Sequence, residues 1–78
     1  MTTVRNAKRS VALNGRNTSI SLEKDFWDAL NELARDEALT VPKLIARIKS
    51  EEVAENLSSS VRVFLLRHYR EGMARRRL

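Results

Sequence analysis

From Asn17 to Leu22 the chain alternates in two sets, Asn17, Ser19 and Ser21 against Thr18, Ile20 and Leu22, and directly afterwards the apolar spacing lengthens. A period of two puts alternate side chains on opposite faces of a strand, whereas a period near 3.6 gathers them on one stripe of a helix. The segment from Lys24 to Glu37 has the second pattern: Phe26, Leu30 and Leu33, flanked by Trp27 and Ala34, share a stripe, and Asp25, Asp28, Glu32 and Asp36 lie opposite. A strand must therefore run straight into an amphipathic helix, with Ile20 and Leu22 seeking the same cover as the helical stripe. Glu23, Asp25 and Asp28 suit the positive end of the helix dipole, while Asp36 and Glu37 sit at its unfavourable end.

Upstream, Val11 and Leu13 continue the apolar set, and Asn14-Gly15 is the dipeptide preferred by a two-residue turn with positive φ at both positions. A local hairpin pairing Val11 with Thr18 is one reading of residues 11–22, and a single strand pairing with a second copy is the other. Downstream, Thr40 reads as a helix cap before Pro42, with Val41, Leu44, Ile45 and Ile48 as the stripe of a second helix over about residues 41–50. Only Ala38 and Leu39 separate the two helices, which forces a sharp turn. After the polar stretch KSEEVAEN, a third helix is expected to start at one of Ser58 to Ser60 and to end near Gly72. Leu57, Val61, Phe64, Leu65, His68 and Tyr69 form its apolar face, and Val63 and Leu66 point elsewhere, so this helix has a second surface to cover.

The chain has 78 residues and no cysteine. Domains this small usually need disulfides, a metal or oligomerisation, and with a single histidine, His68, oligomerisation is the device that remains. A partner subunit is expected to complete the core. No apolar run approaches a membrane span and residues 1–15 lack the apolar stretch of a signal peptide, so the expected location is the cytoplasm, with no membrane partner. The formal net charge of +5 is unevenly spread. Residues 1–22 hold Arg5, Lys8, Arg9 and Arg16 with no acid, the middle of the chain is acidic, and six arginines against Glu71 follow from residue 57. Basic ends attract a polyanion. Residues 1–9 are read as a flexible basic arm, 10–72 as the folded domain and 73–78 as a basic tail.

Catalysis is not expected. The chain lacks a nucleophilic cysteine, a glycine-rich phosphate loop and a paired-histidine metal motif, and no cofactor is implied. His68 on an apolar stripe reads as a packed residue, and the carboxylates of the first helix as its solvated face. The strand is more telling. An unpaired strand leaves a row of amide and carbonyl groups to satisfy, and pairing with the same strand of a second copy gives a two-stranded antiparallel ribbon. Such a ribbon fits the major groove of double-stranded DNA, with Asn17, Ser19 and Ser21 facing the bases. The start of the second helix offers a phosphate site at Thr40, the Val41 amide and Lys43.

The segment TSISLEKDFWDALNELARDEALTVPKLIARI resembles the ribbon-helix-helix, or Arc/MetJ-like, DNA-binding domain. SISLEKDFWDAL is similar to the strand and first helix of CopG-type repressors, ALTVPKLIARI to their turn and second helix, and RSVALNG with NLSSSVRVFLLRHYR to a bacterial subgroup with an added C-terminal helix. The resemblance implies a mainly helical fold with one short N-terminal strand, working as a homodimer through an intermolecular two-stranded antiparallel sheet. It also implies base contacts from Asn17, Ser19 and Ser21 and phosphate contacts from Thr40 and the Val41 amide. Two departures stand out. Ala38 takes a turn position where relatives carry glycine, and the outward strand residues are uncharged where many relatives have arginine or lysine, which shifts binding toward Arg16 or the arm. The competing function is an antitoxin-like dimer whose third helix and RRRL tail hold a partner protein; single-stranded RNA binding ranks last, because Phe26 and Trp27 face the core.

Overall fold

The computed structural model describes residues 6–51 and 56–76. Two strands, β1 (Asn6–Leu13) and β2 (Arg16–Glu23), are followed by helices α1 (Lys24–Asp36), α2 (Val41–Glu51) and α3 (Leu57–Arg76). The fold class is the mainly helical one read from sequence, with an added third helix; the antiparallel sheet, however, is formed by two strands of one chain, where one short strand pairing with a second copy was expected. Of the two readings of residues 11–22, the local hairpin is the one this chain forms, in the register Val11 opposite Thr18. Asn14 (φ 53°) and Gly15 (φ 82°) both occupy the left-handed region, as the two-residue turn requires.

The sheet is longer than its alternation suggested. Order begins by Asn6 rather than near Ser10, and Ala7 pairs with Leu22 and Arg9 with Ile20. Trp27 explains this extension: its indole N–H donates to the Ala7 carbonyl at 2.8 Å, and the Arg9 guanidinium lies 4.9 Å from its ring centre. Lys8 and Arg9 are thus strand residues, while the part of the expected arm up to Arg5 lies outside the described residues.

One face of the hairpin and three helices enclose the core. Ile20, Leu22, Leu30, Leu44, Ile45, Ile48 and Val61 have no exposed surface, and Val11, Leu13, Trp27, Leu33, Ala34 and Leu65 are nearly as buried. Within one chain, β1 and α3 supply part of the cover for which a partner subunit was expected. The α1 stripe is centred on Trp27, Leu30 and Ala34, with Phe26 only half-buried at its edge.

The α1–α2 turn closes with two backbone bonds, Ala38 N–H to Arg35 O (3.1 Å) and Leu39 N–H to Ala34 O (2.8 Å), and Ala38 takes φ 55°. This is a Schellman ending built with alanine where glycine carries no Cβ penalty. Thr40 then caps α2, its Oγ1 accepting the Lys43 N–H at 3.3 Å. At α3 the cap is Asn56, whose side-chain oxygen accepts the Ser59 N–H at 2.9 Å, and the helix starts one residue before the serine run. It also passes through Gly72 to Arg76. Gly72 weakens a helix by only about 1 kcal/mol relative to alanine, and no proline follows to stop it. Residues 73–76 of the expected tail are therefore helical, and 77–78 lie outside the described residues.

The start of α3 also holds β2. Ser58 Oγ accepts the Ser21 N–H at 3.2 Å, and Arg62 donates to the Ser21 carbonyl at 3.3 Å and to the Glu23 carboxylate at 3.0 Å. A backbone hydrogen bond of its own, then Arg62, hold the Glu23 carboxyl below its usual range. Because the folded form prefers the ionised acid, this contribution is present above the ordinary carboxylate pKa and is lost as pH falls through the lowered value. Glu23→Gln should therefore lower the urea midpoint at neutral pH, with a difference from the parent that shrinks in acid; an equal difference at both pH values would contradict the ion-pair account. Ala38→Gly should raise stability by about 1 kcal/mol by removing the left-handed alanine, read from the same denaturation curves.

Candidate nucleic-acid interface

In an antiparallel hairpin, residues opposite one another share a face. Ile20, Leu22, Val11 and Leu13 turn toward the helices, so the other set must turn away: Asn6, Lys8, Ser10 and Ala12 from β1, and Asn17, Ser19, Ser21 and Glu23 from β2. Asn6, Lys8, Ser10, Ala12, Asn17 and Ser19 are exposed, and Ser21 is half-buried where α3 meets the strand. The three expected base-contacting residues are thus brought onto one face. Across from them Ser10 faces Ser19, Ala12 faces Asn17 and Lys8 faces Ser21. The middle of the surface is low, with longer polar side chains at either end.

Sequence reasoning assigned Lys8 to a mobile arm and so found the ribbon uncharged. Its cation in fact belongs to the ribbon face. The signal was available in the hairpin register, since Lys8 lies an even number of residues from Ser10 and Ala12. Arg9, by contrast, is on the inner side against Trp27. Glu23 would oppose a polyanion at the open end of the hairpin, but its ion pair with Arg62 offsets that charge. Arg16 is exposed beside the turn, opposite Leu13.

The second group stands apart from the ribbon, at the start of α2. Thr40 and Lys43 are exposed and Val41 is half-buried. Lys43 N–H donates to Thr40 Oγ1, Leu44 N–H to Thr40 O, and Pro42 has no N–H, so anion binding through the backbone there falls to the Val41 amide. The Thr40 hydroxyl oxygen already accepts a bond, which leaves its O–H as the group able to donate to a phosphate.

His68 does not pack into the core as expected. It is exposed on α3, edge-on to Tyr69 with ring centres 5.4 Å apart, because the helix has run past the core by that point. Among the described residues no cluster of His, Asp and Glu is arranged to hold a metal ion, and no helix is long and apolar enough to cross a membrane.

Comparison with known proteins agrees with this geometry. No curated protein sequence matches the chain. A solved structure, that of an uncharacterized protein from Bordetella pertussis Tohama I, is similar over 96% of this chain at 35% identity with a TM-score of 0.73; the chain spans 63% of that protein's length. A family model described as ribbon-helix-helix domain matches residues 6–69, from the first residue of β1 well into α3. The chain belongs to the ribbon-helix-helix domain family.

Proposed function

We propose that this chain binds double-stranded DNA as a homodimeric transcriptional regulator of the cytoplasm, acting as a repressor, with the outer face of the β1–β2 ribbon in the major groove. The observation that carries this reading is the ribbon itself: an exposed face of small polar residues with Lys8 at one end, backed by fully buried Ile20 and Leu22. Two strands about 4.8 Å apart fit a groove about 12 Å wide, and serine and alanine side chains let the backbone approach the base edges. In this reading Asn17, Ser19 and Ser21 contact bases, joined by Lys8 and Ser10. Arg16, Thr40, the Val41 amide and Lys43 hold phosphates, and dimers assemble further on adjacent sites.

A second reading, an interaction module that holds another protein through its third helix, draws on the exposed Leu66, Tyr69 and Met73. Salt dependence distinguishes the two. Affinity for a duplex that falls steeply with salt supports the regulator, and absence of DNA binding supports the module.

The site assignments divide by behaviour. On a duplex selected from random sequence, Asn17→Ala should relax discrimination at particular base pairs by about 1–3 kcal/mol. Lys43→Ala should weaken binding to selected and scrambled duplexes alike and reduce the salt slope by about one unit. If Lys8, Asn17, Ser19 and Ser21 are all replaced by alanine with discrimination unchanged, the ribbon is not the reading surface.

A further inference from the structure

Past Leu65, helix α3 leaves the core, and its exposed half forms a cleft of about 780 Å³ with the end of α1 and with Arg47 of α2. Small-molecule sites fall in this size range. Phe64, His68 and Gly72, each four residues from the next, lie in one row along α3 and make the floor. Gly72 is unexpected there. Glycine weakens a helix, and a Cβ at this position would meet nothing within 4 Å, so packing does not call for it. What the missing side chain does is deepen the cleft.

The sides of the cleft differ in charge. On the α1 side stand Asp36 and Glu37, at the negative end of the helix dipole, where carboxylates are unfavourable. Tyr69 lies near them: burial, then the charges of Glu32 and Asp36, push its hydroxyl up from its usual range. From α2 comes Arg47, whose Nε donates to Glu51 at 3.3 Å and whose planar fork holds further N–H donors. Arg67 and Glu71 flank the floor with offsetting charges. Two local rules are thus broken, by the acids at the end of α1 and by the glycine within α3, and both breaks fall in one cleft. Breaks of this kind gather at functional sites.

We infer that the cleft binds a short peptide of about three residues with free termini and an aromatic side chain. Its ammonium sits at Asp36 and Glu37, its ring over Gly72 beside Phe64, and its carboxylate at Arg47. Charge selects a zwitterion, since Arg47 disfavours a plain cation and Asp36 with Glu37 a plain anion. The Tyr69 ring adds to the attraction for an ammonium. Size selects a peptide over a single amino acid: the floor from Phe64 to Gly72 is about 12 Å long at about 1.5 Å per residue, and an extended tripeptide spans about 10 Å. This site shares no residue with the ribbon face, so it goes beyond the DNA reading and is tested without DNA.

Isothermal titration of the full chain with alanyl-phenylalanyl-alanine is the test, and saturable one-to-one binding is the expected result. Acetylating the peptide's amine or amidating its carboxylate should each weaken binding about fivefold, because each removes one exposed ion pair. Phenylalanine alone should bind more weakly than the tripeptide. Asp36→Asn with Glu37→Gln should bind the acetylated and unmodified peptides alike, and Arg47→Gln should do the same for the amidated and unmodified ones. Gly72→Leu should lose binding while raising the melting temperature, since leucine fills the cleft and favours the helix; this separates a blocked site from a damaged fold. Absence of saturable binding, equal affinity of the parent for blocked and unmodified peptides, tighter binding of phenylalanine than of the tripeptide, or a Gly72→Leu chain that binds as the parent does would each overturn the inference.

Discussion

Pairing of β1 with β2 across the Asn14–Gly15 turn is the contact on which the rest of this structure depends. It satisfies one edge of β2 within the chain and puts Val11 and Leu13 beside Ile20 and Leu22 to make an apolar floor for the helices. It also fixes which residues face outward. Because side chains alternate strictly, a slip of one residue would send Ile20 and Leu22 to solvent and bury Asn17 and Ser19. Full burial of Ile20 and Leu22 therefore holds the outward face in register.

The second determinant is the join between α3 and β2. Arg62 touches three neighbours: the Ser21 carbonyl, the Glu23 carboxylate and, at 5.9 Å, the Phe26 ring. The guanidinium's fixed fork of donors suits this work better than an ammonium would. Its consequences reach the surface, because pairing Glu23 offsets an acidic charge at the end of the ribbon while Ser58 and Arg62 occupy the β2 edge at Ser21. The molecule thereby separates its charges: a ribbon bearing Lys8, an acidic α1, and a basic α3 that extends beyond the core.

Much of this was legible in the residues. The change of period near Glu23 and the cap at Thr40 each have a local physical cause and placed α1 and α2 to within a residue or so, while the turn at Asn14-Gly15 made the hairpin legible as one of two readings. Ala38 was legible as a point of strain and takes the left-handed conformation. What escaped were effects of tertiary contact. Strand β1 reaches back to Asn6 because Trp27 bonds the Ala7 carbonyl, and nothing in NAKRS announces that. His68 falls on an apolar stripe by spacing yet lies exposed, because spacing cannot say where a core stops. Nor does spacing say how much of the core's cover β1 and α3 supply within the chain. For the ribbon, the outward set of β2 was readable from alternation alone, whereas Lys8 required the hairpin register.

The central claim is that the outer face of the hairpin is the surface that meets DNA. Amide chemical-shift mapping of the labelled chain during titration with a selected duplex tests it most directly. The account predicts the largest changes at Lys8, Ser10, Asn17 and Ser19, a second group at Thr40, Val41 and Lys43, and little change in the exposed half of α3. Shifts concentrated between Leu66 and Ala74, with the ribbon amides unmoved, would contradict it.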